Sequence, residues 1–171
     1  MKNYLISIVY ALLAVMVLNG CATSKEKAAR EADLAKKVNA ALTDRHYKIV
    51  VNSMVDVDPT DTNKKRSQKL EYNYWLEVRN DSLISFLPQY GYYHLQSISG
   101  VGGWHPFFSE RISEYQEELT KKSKRRIEIS VDKNSDILTF VIEVAANGNS
   151  NISVRSRQRE RIWFAGNLML N

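Results

Sequence analysis

From residue 47 to the end of the chain, apolar residues recur at every second position in one segment after another. The segments are "YKIVVNSMVDV", "LEYNYWLEV", "SLISFL", "RIEISV", "ILTFVIEV", "NISVRS" and "RIWFAGNLML". A period of two is typical of β-strands with one buried face. Polar turns separate the segments, among them Asn80-Asp81 and Asn147-Gly148, and such pairs favour hairpins. The pattern therefore predicts an antiparallel sheet.

One segment, Ile137 to Val144, is apolar on both faces. Ile137 and Val141 fall on one face, and four apolar residues fall on the other: Leu138, Phe140, Ile142 and Val144. Such a strand is expected near the centre of a sheet that is covered on both sides. One side is covered either by the sheet curling over itself, which Gly100, Gly102 and Gly103 would permit, or by the aromatic segment from Leu87 to Phe108. We therefore predict a strongly curved, mainly antiparallel sheet, either half-barrel or sandwich-like.

The stretch from Ser24 to Arg45 is rich in Ala, Glu, Lys and Leu, which predicts a helix. Its apolar face is narrow and consists of Ala28, Ala32, Ala35, Val38 and Leu42. We expect this amphipathic helix to pack lightly on the sheet and to cover part of one side. A detached helical stalk is the alternative. The predicted fold class is α+β.

Two segments resist the alternating pattern. Asp56 to Lys69 is polar and contains Pro59, so it is predicted to form a loop or the end of a long hairpin. Ile112 to Arg126 fits either a short helix or an extended edge strand.

The N-terminus has the layout of a secretory signal, with Lys2 followed by an apolar run of 15 residues from Tyr4 to Leu18. A bilayer core requires about 20 apolar residues, so the run is short for an uncleaved anchor helix, which is the alternative. Leu18-Asn19-Gly20-Cys21 resembles the lipobox of bacterial lipoprotein precursors. That resemblance implies a diacylglyceryl group on Cys21, cleavage before Cys21, and acylation, for example by palmitate, of the new amino group.

These features divide the chain into a signal peptide at 1–20, a lipidated cysteine and short tether at 21–26, and a single α+β envelope domain at 27–171. Cys21 is the only cysteine, so the domain has no disulfide. Ala22 is compatible with outer-membrane sorting, and "ATSKEK" lacks an acidic cluster of the kind expected in a surface-export signal. The expected location is the outer membrane of the cell envelope, on its periplasmic face.

Motifs for catalysis, metal binding or cofactor binding are absent from the sequence. His46, His94 and His105 lie in three separate segments, and no nucleophile elbow, phosphate loop or dinucleotide fingerprint occurs. The spacing of Asp56, Asp58 and Asp61 does not match a calcium loop. We predict no enzyme activity, no cofactor and no metal.

The charge of the chain is mildly basic and spread along its length. The net charge is +5, or about +4 once Lys2 is removed with the signal peptide. No nucleic-acid motif accompanies it, so no nucleic-acid partner is expected. The oligomeric state is left open.

Arg155, Arg157, Arg159 and Arg161 occupy alternate positions in "VRSRQRERIW". In a strand they would form one stripe on one face. Such a stripe is interpreted as a site for an anion, a lipid headgroup, a glycan or a protein partner, or alternatively as a charged solvent face. In addition, Asp81-Ser82-Leu83 resembles a short O-glycosylation signal used by Bacteroidetes, which makes Ser82 a candidate modification site.

Five stretches in the C-terminal half form a recognisable set: "LPQYGYY", "GVGGWHPFF", "SEY", "ANGNSNISV" and "RQRERIWFAGNL". Together they resemble the domain-of-unknown-function 4251 family. Matching positions are Leu87, Pro88, Gly91, Gly103, Arg159 and Gly166, whereas Gln89 stands where an aromatic residue is more usual. The resemblance spans roughly Lys25 to Asn171. It implies an envelope lipoprotein of the Bacteroidetes with an antiparallel sheet, and it brings no catalytic residues.

Three functions are compatible with these observations. The first is a lipid-anchored, non-catalytic envelope domain that binds or scaffolds a protein or glycan partner. The second is a carrier of an apolar ligand or lipid inside a curved sheet. The third is a hydrolase with unrecognised acids. Aromatic residues packed in a core favour the first function, aromatic residues around a void favour the second, and a pocket with two carboxylates favours the third.

Overall fold

The computed structural model describes residues 24–58, 61–88, 107–133, 136–157 and 161–170, and for 56–58 and 61–66 it describes the backbone alone. One helix, α1, spans 24–43. Eight strands follow: β1 (His46–Asp58), β2 (Asp61–Arg79), β3 (Ser82–Phe86), β4 (Phe107–Leu119), β5 (Arg125–Lys133), β6 (Asp136–Val144), β7 (Asn149–Arg155) and β8 (Ile162–Met169).

The strands form a closed barrel in which each pairs with the next in the sequence. β1 also pairs antiparallel with β8, from Lys48 opposite Met169 to Val55 opposite Trp163. The predicted antiparallel sheet and N-terminal helix are confirmed. The predicted half-barrel or sandwich-like form is less closed than the observed barrel, because the β1–β8 ladder joins the two strands that would otherwise be edges.

Alternation along the strands sorts the side chains between the inside and the outside of the barrel. On β6, Leu138, Phe140, Ile142 and Val144 are buried in the common core, whereas Val141 faces outward and is half-buried. The predicted inward face of this strand is therefore correct. The prediction that this strand lies at the centre of a sheet is wrong, because a closed barrel has no central strand.

Most of Asp56 to Lys69 belongs to a long β1–β2 hairpin. β1 runs to Asp58, β2 begins at Asp61, and the ladder extends to Asp58 opposite Asp61. The loop interpretation was wrong for the described part, and the long hairpin is what forms. From Ile112 to Leu119 the segment is the second part of β4 and pairs with β5, whereas the pairing of β4 with β3 covers only Phe107 to Arg111. The helix alternative is therefore wrong, and an extended strand with one described strand partner, as in the edge alternative, is what forms.

α1 packs against one end of the barrel through its second half alone. Val38 and Leu42 are buried in the barrel core, and Leu34 and Ala41 pack against it. Residues 24–33 are exposed, including Ala28 and Ala32. The predicted apolar face therefore makes contact only from residue 34 onward, and it covers a barrel end rather than one side of a sheet.

The two ends of the barrel carry different turns. We call the end covered by α1 the helix end; it includes the turns at 80–81, 120–124 and 145–148. Gly148 there has φ +83°, and its amide donates to the carbonyl of Ala145, as the Asn147-Gly148 signal predicted. We call the opposite end, where β5 and β7 end and where β6 and β8 begin, the far end. Within the described residues, no helix has both the length and the apolar character needed to cross a bilayer.

Candidate binding surface

The barrel interior is filled by side chains. Inward-facing residues from all eight strands and from α1 form a single hydrophobic cluster. An eight-stranded barrel is just wide enough for side chains to fill it or for one small ligand to replace some of them. Here Phe140, Phe164 and Leu76 are among the fully buried side chains that occupy this space.

Two tyrosines lie in the inner layer near the helix end. The hydroxyl groups of Tyr47 and Tyr115 are buried, and neither meets the geometry of an ordinary hydrogen bond. Burial raises the pKa of Tyr47 well above 10.0, and it also raises the pKa of Tyr115. The guanidinium of Arg45 lies 4.0 Å from the ring centre of Tyr115. Because both phenols stay protonated at neutral pH, they do not act there as phenolate bases or nucleophiles.

The outer wall carries a shallow groove of about 380 Å³. Its floor is a row of residues that stand opposite one another on four neighbouring strands: Val55, Trp163, Ser153 and Val141. The barrel's alternation turns all four outward. We call this concavity, together with Glu143 and Asn151 on its side toward the helix end, the Trp163 groove. Its volume falls within the range of about 300–1,000 Å³ that is usual for small-ligand sites.

The floor and sides of the groove differ in polarity. Trp163, Val55 and Val141 are half-buried and supply an apolar floor. Ser153 supplies a hydroxyl, and Asn151 supplies an amide that can both donate and accept hydrogen bonds. A site of this composition can hold a ligand that has both apolar faces and hydroxyl groups.

The predicted arginine stripe is not a single strand. Arg155 is the last residue of β7, and β8 begins at Ile162, so Arg157 and Arg161 lie between the two strands. Arg159 lies outside the described residues. Arg155 follows Ser153 by two positions on β7, and Arg161 precedes Trp163 by two positions. Both therefore lie beside the groove, on its side toward the far end.

Ion pairs differ among these basic residues. Glu128 Oε1 accepts from Arg155 Nη2 at 3.4 Å, and Glu128 Oε2 accepts from Arg126 Nη2 at 3.2 Å. Glu143 at the groove pairs with Lys124 at 3.6 Å. Within the described ranges, Arg157 and Arg161 form no ion pair. The guanidinium of Arg161 lies 5.9 Å from the ring centre of Trp163, at the outer limit of a cation–π contact. Of the described residues, the two carboxylates at or beside the groove, Glu143 and Glu128, are thus already paired, whereas the guanidinium of Arg161 is not.

The other residues singled out in the sequence are scattered or undescribed. Cys21, His94 and His105 lie outside the described residues. Ser82 is the first residue of β3 and is half-buried beside the turn at 80–81, and its glycosylation stays a prediction. His46 is exposed at the start of β1. Among the described residues, no three His, Cys, Asp or Glu side chains converge on a metal position.

The sequence did not single out the Trp163 groove. Four separate strands build it, and their register places Val55, Ser153 and Val141 beside Trp163. One feature of the sequence could have indicated the groove. In β8, Phe164 and Leu168 are apolar and face inward, which places Trp163 on the outward face of the strand. An outward tryptophan on such a strand marks a surface that can bind a partner.

The fold and this surface define a class: a small closed antiparallel barrel with a filled interior, one end covered by a helix, and a mixed groove on the outer wall. The family model "Domain of unknown function (DUF4251)" matches residues 29–168. The chain belongs to this family, as its sequence resemblance indicated.

The fold agrees with a solved member of the family. A crystal structure of a DUF4251 family protein from Bacteroides eggerthii superposes with a TM-score of 0.56 at 10% sequence identity. The alignment covers 83% of this chain and 91% of that one. At this identity the likeness concerns the fold alone. No curated protein matches this chain.

Proposed function

We propose that this protein is a lipid-anchored, non-catalytic domain of the cell envelope that binds a partner through the outer wall of its barrel. The anchor is the lipid on Cys21, and the location is the periplasmic face of the outer membrane. The observation that carries the binding role is the Trp163 groove, an outward concavity with an aromatic floor and polar sides.

The filled interior supports this choice over a carrier of apolar ligands. A carrier needs space where Phe140, Phe164 and Leu76 pack in the common core. A hydrolase needs a pair of carboxylates at a pocket. The groove has one carboxylate along its lining, Glu143, and this group is paired with Lys124.

The anchor is tested by replacing Cys21 with alanine. Without the thiol there is no site for the diacylglyceryl group, so the variant should take up no label from a fatty acid fed to the native host. Thr23→Ala, two residues away, is the matched control and should label like the wild type. Equal labelling of Cys21→Ala and wild type would contradict the anchor.

The binding role is tested by filling the groove. Ser153→Arg places a long charged side chain on the groove floor at an outward position, so it should remove whatever co-purifies with the protein from detergent-solubilised envelopes. Ser109→Arg is the control, because Ser109 is an exposed outward residue on β4, on a different wall of the barrel. Recovery of the same proteins and glycans with both variants would contradict a binding role for this wall.

A further inference from the structure

We propose that the Trp163 groove binds an anionic saccharide, with Trp163 stacking on a sugar ring and Arg155 and Arg161 holding its carboxylate, phosphate or sulfate. This inference names the ligand class of the binding function proposed above and rests on it. Three observations support it: the composition of the groove, the two arginines on one side of it, and the absence of a free strand edge among the four strands that build it.

The composition of the groove matches the two-sided character of a sugar ring. The face of an aromatic ring carries partial negative charge and attracts polarised C–H groups, which line the flat faces of a pyranose. The ring edge of the sugar carries hydroxyl groups, for which Ser153 and Asn151 offer donors and acceptors beside Trp163. Val55 and Val141 extend the apolar floor on either side.

The arginines add the preference for negative charge. Guanidinium groups bind carboxylate and phosphate in a two-pronged geometry. Arg161 has no ion pair within the described part of the chain, and Arg155 is held at 3.4 Å from Glu128, a long contact between partly exposed groups. An acidic group on the sugar therefore finds one uncommitted guanidinium and a second that is only loosely paired.

The barrel architecture disfavours a peptide in the groove. At the groove β1 pairs with β8, β8 with β7 and β7 with β6, so these four strands offer no free edge there to which an extended peptide can add. The floor is interrupted by Ser153, whereas a groove for an amphipathic helix is continuously apolar. The arginines lie toward the far end, opposite the end that α1 covers.

The test uses the purified full-length protein and a panel of oligosaccharides that bear uronate, phosphate or sulfate groups, each with its neutral counterpart. The protein should bind one or more acidic members and bind the neutral counterparts more weakly. Trp163→Ala should weaken binding about tenfold or more, as for an aromatic anchor. Raising the salt from about 0.05 M to about 0.5 M should weaken it as well, since the contact is electrostatic.

Further variants distinguish loss of the binding site from a general loss of stability. Trp163→Phe keeps a stacking face and should retain most of the affinity, which a general loss of folding would not allow. Arg161→Gln should lower affinity for the acidic sugar and leave affinity for the neutral one unchanged. Trp75→Phe, another outward tryptophan on β2, is the control and should bind like the wild type.

Each adverse result has a distinct meaning. Binding to no acidic saccharide overturns the inference, and equal affinity for acidic and neutral members overturns the role of the arginines. Acidic saccharide binding that survives Trp163→Ala overturns the site. If a protein partner still co-purifies in a manner sensitive to Ser153→Arg, the proposed function stands while this inference falls.

Discussion

Replacing Gly166 with alanine is expected to lower the free energy of unfolding by about 3 kcal/mol or more, at the upper end of the cost of overpacking. A Cβ atom at this inward position on β8 would lie 2.9 Å from the carbonyl carbon of Val50 and 3.0 Å from the Cα of Val51, and closer still to the carbonyl oxygen of Val50. These are backbone atoms of the paired strand, next to the bulge that follows Val51. They cannot rotate away as a side chain does, so the β1–β8 ladder itself must move.

Gly148→Ala is the matched control for this prediction. A Cβ there meets its neighbours at 3.7–3.8 Å, which is ordinary contact, but the residue has φ +83°. The expected cost is that of a left-handed backbone, about 1–2 kcal/mol. Urea titration of the two variants measures both. If Gly148→Ala is the more damaging change, the close approach of β8 to β1 is not as described.

The second large effect is expected from Phe140→Ala. The Phe140 side chain is 0% exposed, and its ring centre lies 6.2 Å from that of Phe108 inside the barrel. Truncation leaves a cavity that the closed wall cannot collapse to fill, so we expect a loss of about 3–5 kcal/mol. Denaturant titration measures this loss, and the slope of the free energy of unfolding against denaturant concentration should be the same for the variant and the wild type.

Arg157→Ala is the control on the exposed side. Its side chain is exposed, and its backbone amide donates a hydrogen bond to Asp136 Oδ1, which alanine keeps. We expect a change of about 0.5 kcal/mol or less. A severe effect of Arg157→Ala together with a mild effect of Phe140→Ala would mean that the inner and outer faces have been exchanged.

The alternation of apolar residues along the sequence predicted most of the strands and part of the core. Period-two spacing placed Ile127, Ile129 and Val131 on one face, and that face is inside the barrel. The Asn147-Gly148 pair predicted its turn because positive φ at glycine is a property of the residue itself. In these cases the determinant lies within a few residues of the feature.

Closure of the barrel was beyond the local pattern. It depends on β1 and β8, where Lys48 pairs with Met169, and no short stretch of sequence records that pairing. The polar segment before Lys69 was misinterpreted for a related reason: its strand pairs with β1 through backbone hydrogen bonds, whereas its sequence has no apolar alternation that predicts a strand. The groove at Trp163 depends on the same long-range register, so it too was missed.

The pairing of β1 with β8 also bears on how the chain is made. The ladder joins residues 48–55 to residues 163–169, almost the full span of the described strands. Such distant contacts form late, since loop-closure entropy must be overcome before they contribute. While the chain is being synthesised, the earlier strands can form hairpins, but the last strand completes the wall only after its residues emerge. The nascent barrel therefore stays open, with β1 lacking its second strand partner, until β8 has been synthesised.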